Sequence, residues 1–108
     1  MTAPAELIMI NLDSPDPAGH AAFYRHVLGG DIIHSEPGYA MLRVAGTTIG
    51  FGLVDHHQPP AWPDTTSGKR YHLDLYVDDL ADAEKRFLAA GASRPDFQPG
   101  DGRWVVLT

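Results

Sequence analysis

There is no cysteine in this chain of 108 residues. Its absence excludes a disulfide framework and thiolate chemistry. Basic side chains are scarce as well. Lys and Arg number 8 against 14 Asp and Glu, a net charge of −6. A phosphate backbone needs a basic face, so nucleic acid is not an expected partner. No run of about 18 apolar residues occurs, so no membrane span is expected. The opening Met1-Thr2-Ala3-Pro4-Ala5-Glu6 lacks a basic region and a long apolar stretch, and does not read as a signal peptide. A Gly-rich phosphate loop and a Ser nucleophile elbow are also missing. A cytoplasmic protein is the expectation.

What is present suits one globular domain. The hydrophobic share is 44%, and the length is enough to bury a core. The most informative feature is an internal repeat. Met9-Ile10-Asn11-Leu12 precedes Asp16 and a helical pattern; His72-Leu73-Asp74-Leu75, 63 residues later, precedes Asp79 and a second one.

The first copy reads as βαβββ. Leu7–Leu12 is an apolar run suited to a strand. Asp16 is a helix N-cap with Pro17 at the first helical position, where a missing N–H costs nothing. Ala21, Tyr24 and Leu28 then recur at helical spacing, with Phe23 and Val27 alongside, until Gly29-Gly30 ends the helix. Strands are expected at 31–35, 39–44 and 47–54. Residues 55–69, rich in proline and carrying Trp62, form a linker long enough to suggest function or mobility. The second copy offers a strand at 70–77 and a helix capped by Asp78 or Asp79, with Leu80, Ala83, Phe87 and Ala90 on one face. A weak strand at 93–98, a turn at 99–102 and a strand at 103–108 follow. One more strand is expected by analogy, and it is absent from this chain.

With these residues in place, the sequence resembles the vicinal oxygen chelate superfamily of glyoxalases, bleomycin resistance proteins and dioxygenases. The resemblance is carried by Asp16, Phe23-Tyr24 and Val27-Leu28-Gly29-Gly30, and by His72-Leu73-Asp74-Leu75-Tyr76-Val77-Asp78-Asp79-Leu80 running into Ala89-Ala90-Gly91-Ala92. It is most similar to the small glyoxalase-like proteins of bacteria. The resemblance implies an α+β fold: two βαβββ modules whose strands form a cup-shaped mixed sheet. The domain would be 6–108, with module one at 6–54, a linker at 55–69 and an incomplete module two at 70–108. Relatives that act by sequestration are usually homodimers, so a homodimer is expected.

The resemblance also implies where a metal would sit. The metal enzymes carry a His or similar ligand seven residues before the helix-capping Asp, and Met9 stands there. A second ligand comes from the last strand of module one, where Ile49, Gly50, Phe51 and Gly52 offer no ligating side chain. His72 is the only matching position, so no metal or other cofactor is predicted; a divalent metal is the alternative.

In a strand, residues 72, 74 and 76 share a face, and Met9 and Asn11 match them in the first copy. The expected binding surface for a small organic ligand is therefore Met9, Asn11, His72, Asp74 and Tyr76, with Phe51 as a wall and Trp62 as a lid. His72 and Asp74 are also the candidate catalytic pair, a general base with its orienter; a buried pair that positions the modules is the structural alternative. His56 and His57 read as solvated, and His20, His26 and His34 as surface residues. The expected function is metal-free binding of a small molecule. The alternative is an enzyme (a lyase, isomerase or dioxygenase) with an atypical metal site or His72/Asp74 acid–base catalysis.

Overall fold

A computed structural model describes residues 7–59, 62, 63 and 72–108. The chain divides into two compact units, Met1–His57 and Gln58–Thr108. Among the described residues the fold is α+β, with one four-stranded mixed sheet and two helices.

In the first unit the order is β1 (Ile10–Ser14), α1 (Pro17–Leu28), β2 (Asp31–Glu36), β3 (Tyr39–Val44) and β4 (Thr47–Leu53). The sheet runs β1-β4-β3-β2. β1 pairs with β4 in parallel, and the other two pairings are antiparallel. Helix α1 starts as its sequence dictates: the Asp16 carboxylate accepts from the Gly19 N–H at 3.1 Å. The start is also tied to the strand before it. Ser14, fully buried, accepts from the Asp16 N–H at 3.0 Å and lies 2.6 Å from His20 Nδ1. His20 is therefore not the surface residue expected; it sits on the side of α1 that meets the end of β1.

One face of the sheet is covered by α1. Ala21, Ala40, Leu42, Ile49 and Phe51 form the buried core, with Leu12, Tyr24, Leu28 and Val44 packed against it. Phe51 stacks on Tyr24, with ring centroids 5.5 Å apart and planes 20° from parallel. Burial pushes the Tyr24 phenol above its usual pKa, so it remains neutral. Gly30 closes the turn between α1 and β2 with φ +87°, and a Cβ there would lie 2.3 Å from the Arg43 carbonyl oxygen. Only glycine accepts both that dihedral and that approach.

The second unit contains α2 (Leu80–Ala90). Asp79 caps it, accepting from the Asp82 N–H at 3.0 Å, and Gly91 ends it in the left-handed conformation. The expected face of Leu80, Ala83, Phe87 and Ala90 is half-buried. The second βαβββ module does not form among the described residues. Segment 72–77 carries no strand. A strand exists only through its partner, and no ladder partner for this segment is present among the described residues. The strands expected at 93–98 and 103–108 are also missing as a ladder. Ser93 and Thr108 exchange two backbone hydrogen bonds, at 2.7 and 2.8 Å. Between them Gln98 substitutes its side chain for a strand: its carboxamide accepts from the Val106 N–H and donates to the Val106 carbonyl, both at 2.9 Å. The start of the expected strand at Arg70 and Tyr71, the start of the domain at Glu6 and most of the 55–69 linker lie outside the described residues.

This packing predicts unequal costs for truncation. Leu42→Ala, at a fully buried position, should destabilise the protein by about 2–5 kcal/mol. Ile33→Ala, 48% exposed on β2, should stay within about 0.5 kcal/mol of the parent. Urea denaturation monitored by circular dichroism checks both. Equal losses would mean that α1 does not cover the sheet as described.

Candidate functional site

Alternation along each strand sends neighbouring side chains to opposite faces. Ala40, Leu42, Ile49 and Phe51 point toward α1, so Tyr39, Met41, Gly50 and Gly52 belong to the other, open face. The register lays two rows across that face. One is Asn11, Gly50, Met41 and His34; the next is Asp13, Gly52, Tyr39 and Glu36.

Tyr39 reaches from the second row over β4 toward β1. Its hydroxyl donates to Asn11 Oδ1 at 3.0 Å and to Met9 Sδ at 3.1 Å. Gly50 makes room for this. A Cβ on Gly50 would lie 2.1 Å from Asn11 Oδ1 and 2.7 Å from the Tyr39 hydroxyl, so any side chain there would displace the pair. On the far side of Tyr39, the His34 ring is 6.0 Å from the tyrosine ring, and His34 Nε2 is 3.4 Å from a Glu36 carboxylate oxygen. Asn11 is exposed while Met9 and Tyr39 are half-buried. The open face thus holds hydrogen-bonding groups fixed beside apolar ones, the usual mixture for small-molecule recognition.

Of the expected site residues, Met9 and Asn11 are brought together, with Tyr39 as the link. Phe51 is not beside them. It is fully buried under α1, because alternation from Gly50 turns it to the core. In the second unit His72 and Asp74 face each other, with His72 Nε2 3.2 Å from Asp74 Oδ1; their side chains are 69% and 92% exposed. The reading of this pair as buried therefore does not hold. Tyr76 is 89% exposed. Trp62 donates its indole N–H to the Phe97 carbonyl at 3.0 Å and packs its ring against Phe97. That contact fixes Trp62 within its own unit.

Tyr39, Gly50 and His34 were not among the expected site residues. The signal for Gly50 lay in the Gly50-Phe51-Gly52 pattern, since glycine inside a strand marks a close approach of other groups. Nothing in the sequence pairs Tyr39 with residues 28 and 30 positions earlier. A shallow groove at the end of α1 is lined by Ala22, Arg25, His26, Gly29, Gly30 and Ile32. Arg25 there complements the carbonyl end of the helix dipole, which is a structural role.

The Glyoxalase-like domain family matches residues 9–108 of the sequence. The chain belongs to that family. Solved structures similar to this glyoxalase-like chain come from the glyoxalase/bleomycin resistance/dioxygenase superfamily. A family enzyme from Burkholderia phytofirmans PsJN is 23% identical, with a TM-score of 0.66 over 88% of this chain and 79% of that one. The bleomycin resistance determinant encoded on transposon Tn5 is 23% identical, with a TM-score of 0.51 over 88% and 72%. A mutant of the fosfomycin resistance protein of Listeria monocytogenes, complexed with Mn(II) and a dihydroxypropylphosphonic acid, is 15% identical, with a TM-score of 0.63 over 91% and 73%. At such identities the likeness is one of fold. Among curated proteins none matches the chain. No helix among the described residues is long and apolar enough to cross a membrane.

The geometry around Gly50 makes a prediction. In Gly50→Ala the new methyl should push Asn11 and Tyr39 apart and break their hydrogen bond. Asn11 is free to swing into solvent, so the stability cost should stay near the net worth of one hydrogen bond, about 0.5–1.5 kcal/mol. A crystal structure of the variant checks the displacement; an intact Asn11–Tyr39 contact would rule out the close approach.

Proposed function

We propose that this glyoxalase-like chain is a metal-free binding protein that holds a small organic molecule on the open face of its sheet. The observation that supports this reading is the Tyr39 cluster over Gly50. The family resemblance gives the metal enzymes a ligand at Met9 and another on the strand that here carries Gly50. A thioether suits soft metals, and glycine has no donor to offer. The polar atoms nearest to these positions, Tyr39 Oη and Asn11 Oδ1, are hydrogen-bonded to each other. No group of three or more His, Asp or Glu able to hold a metal occurs among the described residues. This donor set does not fit a hard divalent cation.

A binding role needs only a surface of fixed polarity, and that is what the Met9–Asn11–Tyr39 arrangement supplies. Sequestration, the mode of action that the superfamily resemblance implies for its resistance proteins, is consistent with it. Such a protein would act without turnover, as a homodimer if it follows the superfamily pattern.

A second reading is favoured by one observation, the 3.2 Å contact between His72 and Asp74. The carboxylate would orient the imidazole, which would act as general base on a bound substrate. High exposure weakens that support, because solvent screens the pair.

Metal analysis of protein expressed in rich medium, then incubated with zinc, manganese, nickel or iron(II), should find no stoichiometric metal. A thermal-shift panel of natural products should identify a ligand. At a hundredfold excess over Kd the expected stabilisation is about 2.7 kcal/mol, and it should persist in His72→Ala. One equivalent of divalent metal in the parent, lost in His72→Ala, would overturn the metal-free reading.

A further inference from the structure

Resting on that binding reading, we propose that Asn11 and Tyr39 select a ligand with a neutral carboxamide edge, a carbonyl with an N–H beside it. The inference follows from counting donors and acceptors. A tyrosine hydroxyl has one proton, and here it is shared between Met9 Sδ and Asn11 Oδ1. That bond fixes the orientation of the Asn11 carboxamide. Its oxygen is taken by Tyr39, so its NH2 group, on the same carbon, is left for another partner. Asn11 is exposed, and both N–H donors are open to a ligand. The Tyr39 oxygen has spent its proton but keeps lone-pair capacity, so toward a ligand it is an acceptor. A donor and an acceptor therefore stand side by side. The complementary edge carries an acceptor next to a donor, as a primary amide, a lactam or a peptide unit does.

Charge on the same face acts against the obvious competitor. A carboxylate could accept from Asn11, but it has no proton for the Tyr39 oxygen, and lone pairs would meet lone pairs. Asp13 and Glu36 stand in the same row as Tyr39, and the chain carries a net charge of −6; both repel an anion. A ketone satisfies Asn11 but leaves the Tyr39 oxygen without its donor. Met9, Met41 and the Tyr39 ring supply apolar and aromatic surface, so an amide on an aromatic ring makes a suitable probe.

The test is a titration of the full ¹⁵N-labelled chain with benzamide, benzoate and acetophenone. The signals read are the Asn11 side-chain NH2 pair and the Gly50 and Gly52 amides. Benzamide should shift all of these and bind about tenfold more tightly than benzoate, the worth of one hydrogen bond gained. Tyr39→Phe should narrow that preference by releasing the Asn11 carboxamide to rotate. Asn11→Ala, which removes the NH2 donors from a solvent-exposed side chain, should abolish benzamide binding, read at the Gly50 and Gly52 amides, while the spectrum stays folded. Benzoate binding as tightly as benzamide would overturn the amide preference and leave the binding reading standing. If none of the three probes moves an open-face signal, both fall.

Discussion

Strand β4 is the constraint on which the first unit depends. It is hydrogen-bonded on both sides, to β1 in parallel and to β3 antiparallel. Its odd positions, Ile49 and Phe51, are buried under α1, and Phe51 is the largest fully buried side chain among the described residues. With that register set by the core, Gly50 and Gly52 have to face the other way. A shift of one residue would expose Phe51 and bury glycine, so the hydrophobic face fixes the polar face as well. The bareness of the open face along β4 is the other side of a well-packed core.

The chemistry of the candidate site follows from that bareness. Where a side chain on residue 50 would stand, the Tyr39 hydroxyl and the Asn11 carboxamide meet instead. The tyrosine supplies the single proton that holds Asn11 and Met9 in place. In a superfamily whose scaffold hosts both metal enzymes and binding proteins, fold cannot choose between them. Under the reading proposed above, the choice rests on the donor set, because a thioether, a glycine and a hydrogen-bonded phenol suit recognition of an organic group better than coordination of a hard cation.

The second unit shows how backbone groups are satisfied when a sheet does not form. Its helix is well specified, with Asp79 at one end and Gly91 at the other. The segments around it are not paired as strands. Gln98 takes the place of a backbone partner by offering one donor and one acceptor to Val106. A carboxamide side chain has the same donor–acceptor pair as a peptide group, so it can fill one position in a ladder. It cannot extend the ladder, and the pairing ends there.

The sequence by itself determined both helices and the order of elements in the first unit, but not the bounds of β1: expected at Leu7–Leu12, it runs Ile10–Ser14, because pairing with β4 carries it through Asp13 and Ser14. Caps, glycine stops and apolar periodicity are short-range signals: Asp16, Gly91 and the β3 limits follow from them directly, and the second cap is narrowed to Asp78 or Asp79, of which the structure uses Asp79. The Glyoxalase-like family was legible for the same reason, since its marks lie in contiguous runs around Phe23-Tyr24 and His72-Leu73-Asp74. The site was only half legible. Met9 and Asn11 could be singled out from the repeat, but their partner Tyr39 could not, because nothing local joins residues so far apart in sequence. The repeat also promised a second sheet that the described residues do not form, since similar sequence makes a strand only where a partner strand is present. Tertiary structure alone decided which face Phe51 occupies, which way Asn11 points and whether 72–77 pairs. Each of those depends on non-local contacts, and a chain read in order does not contain them.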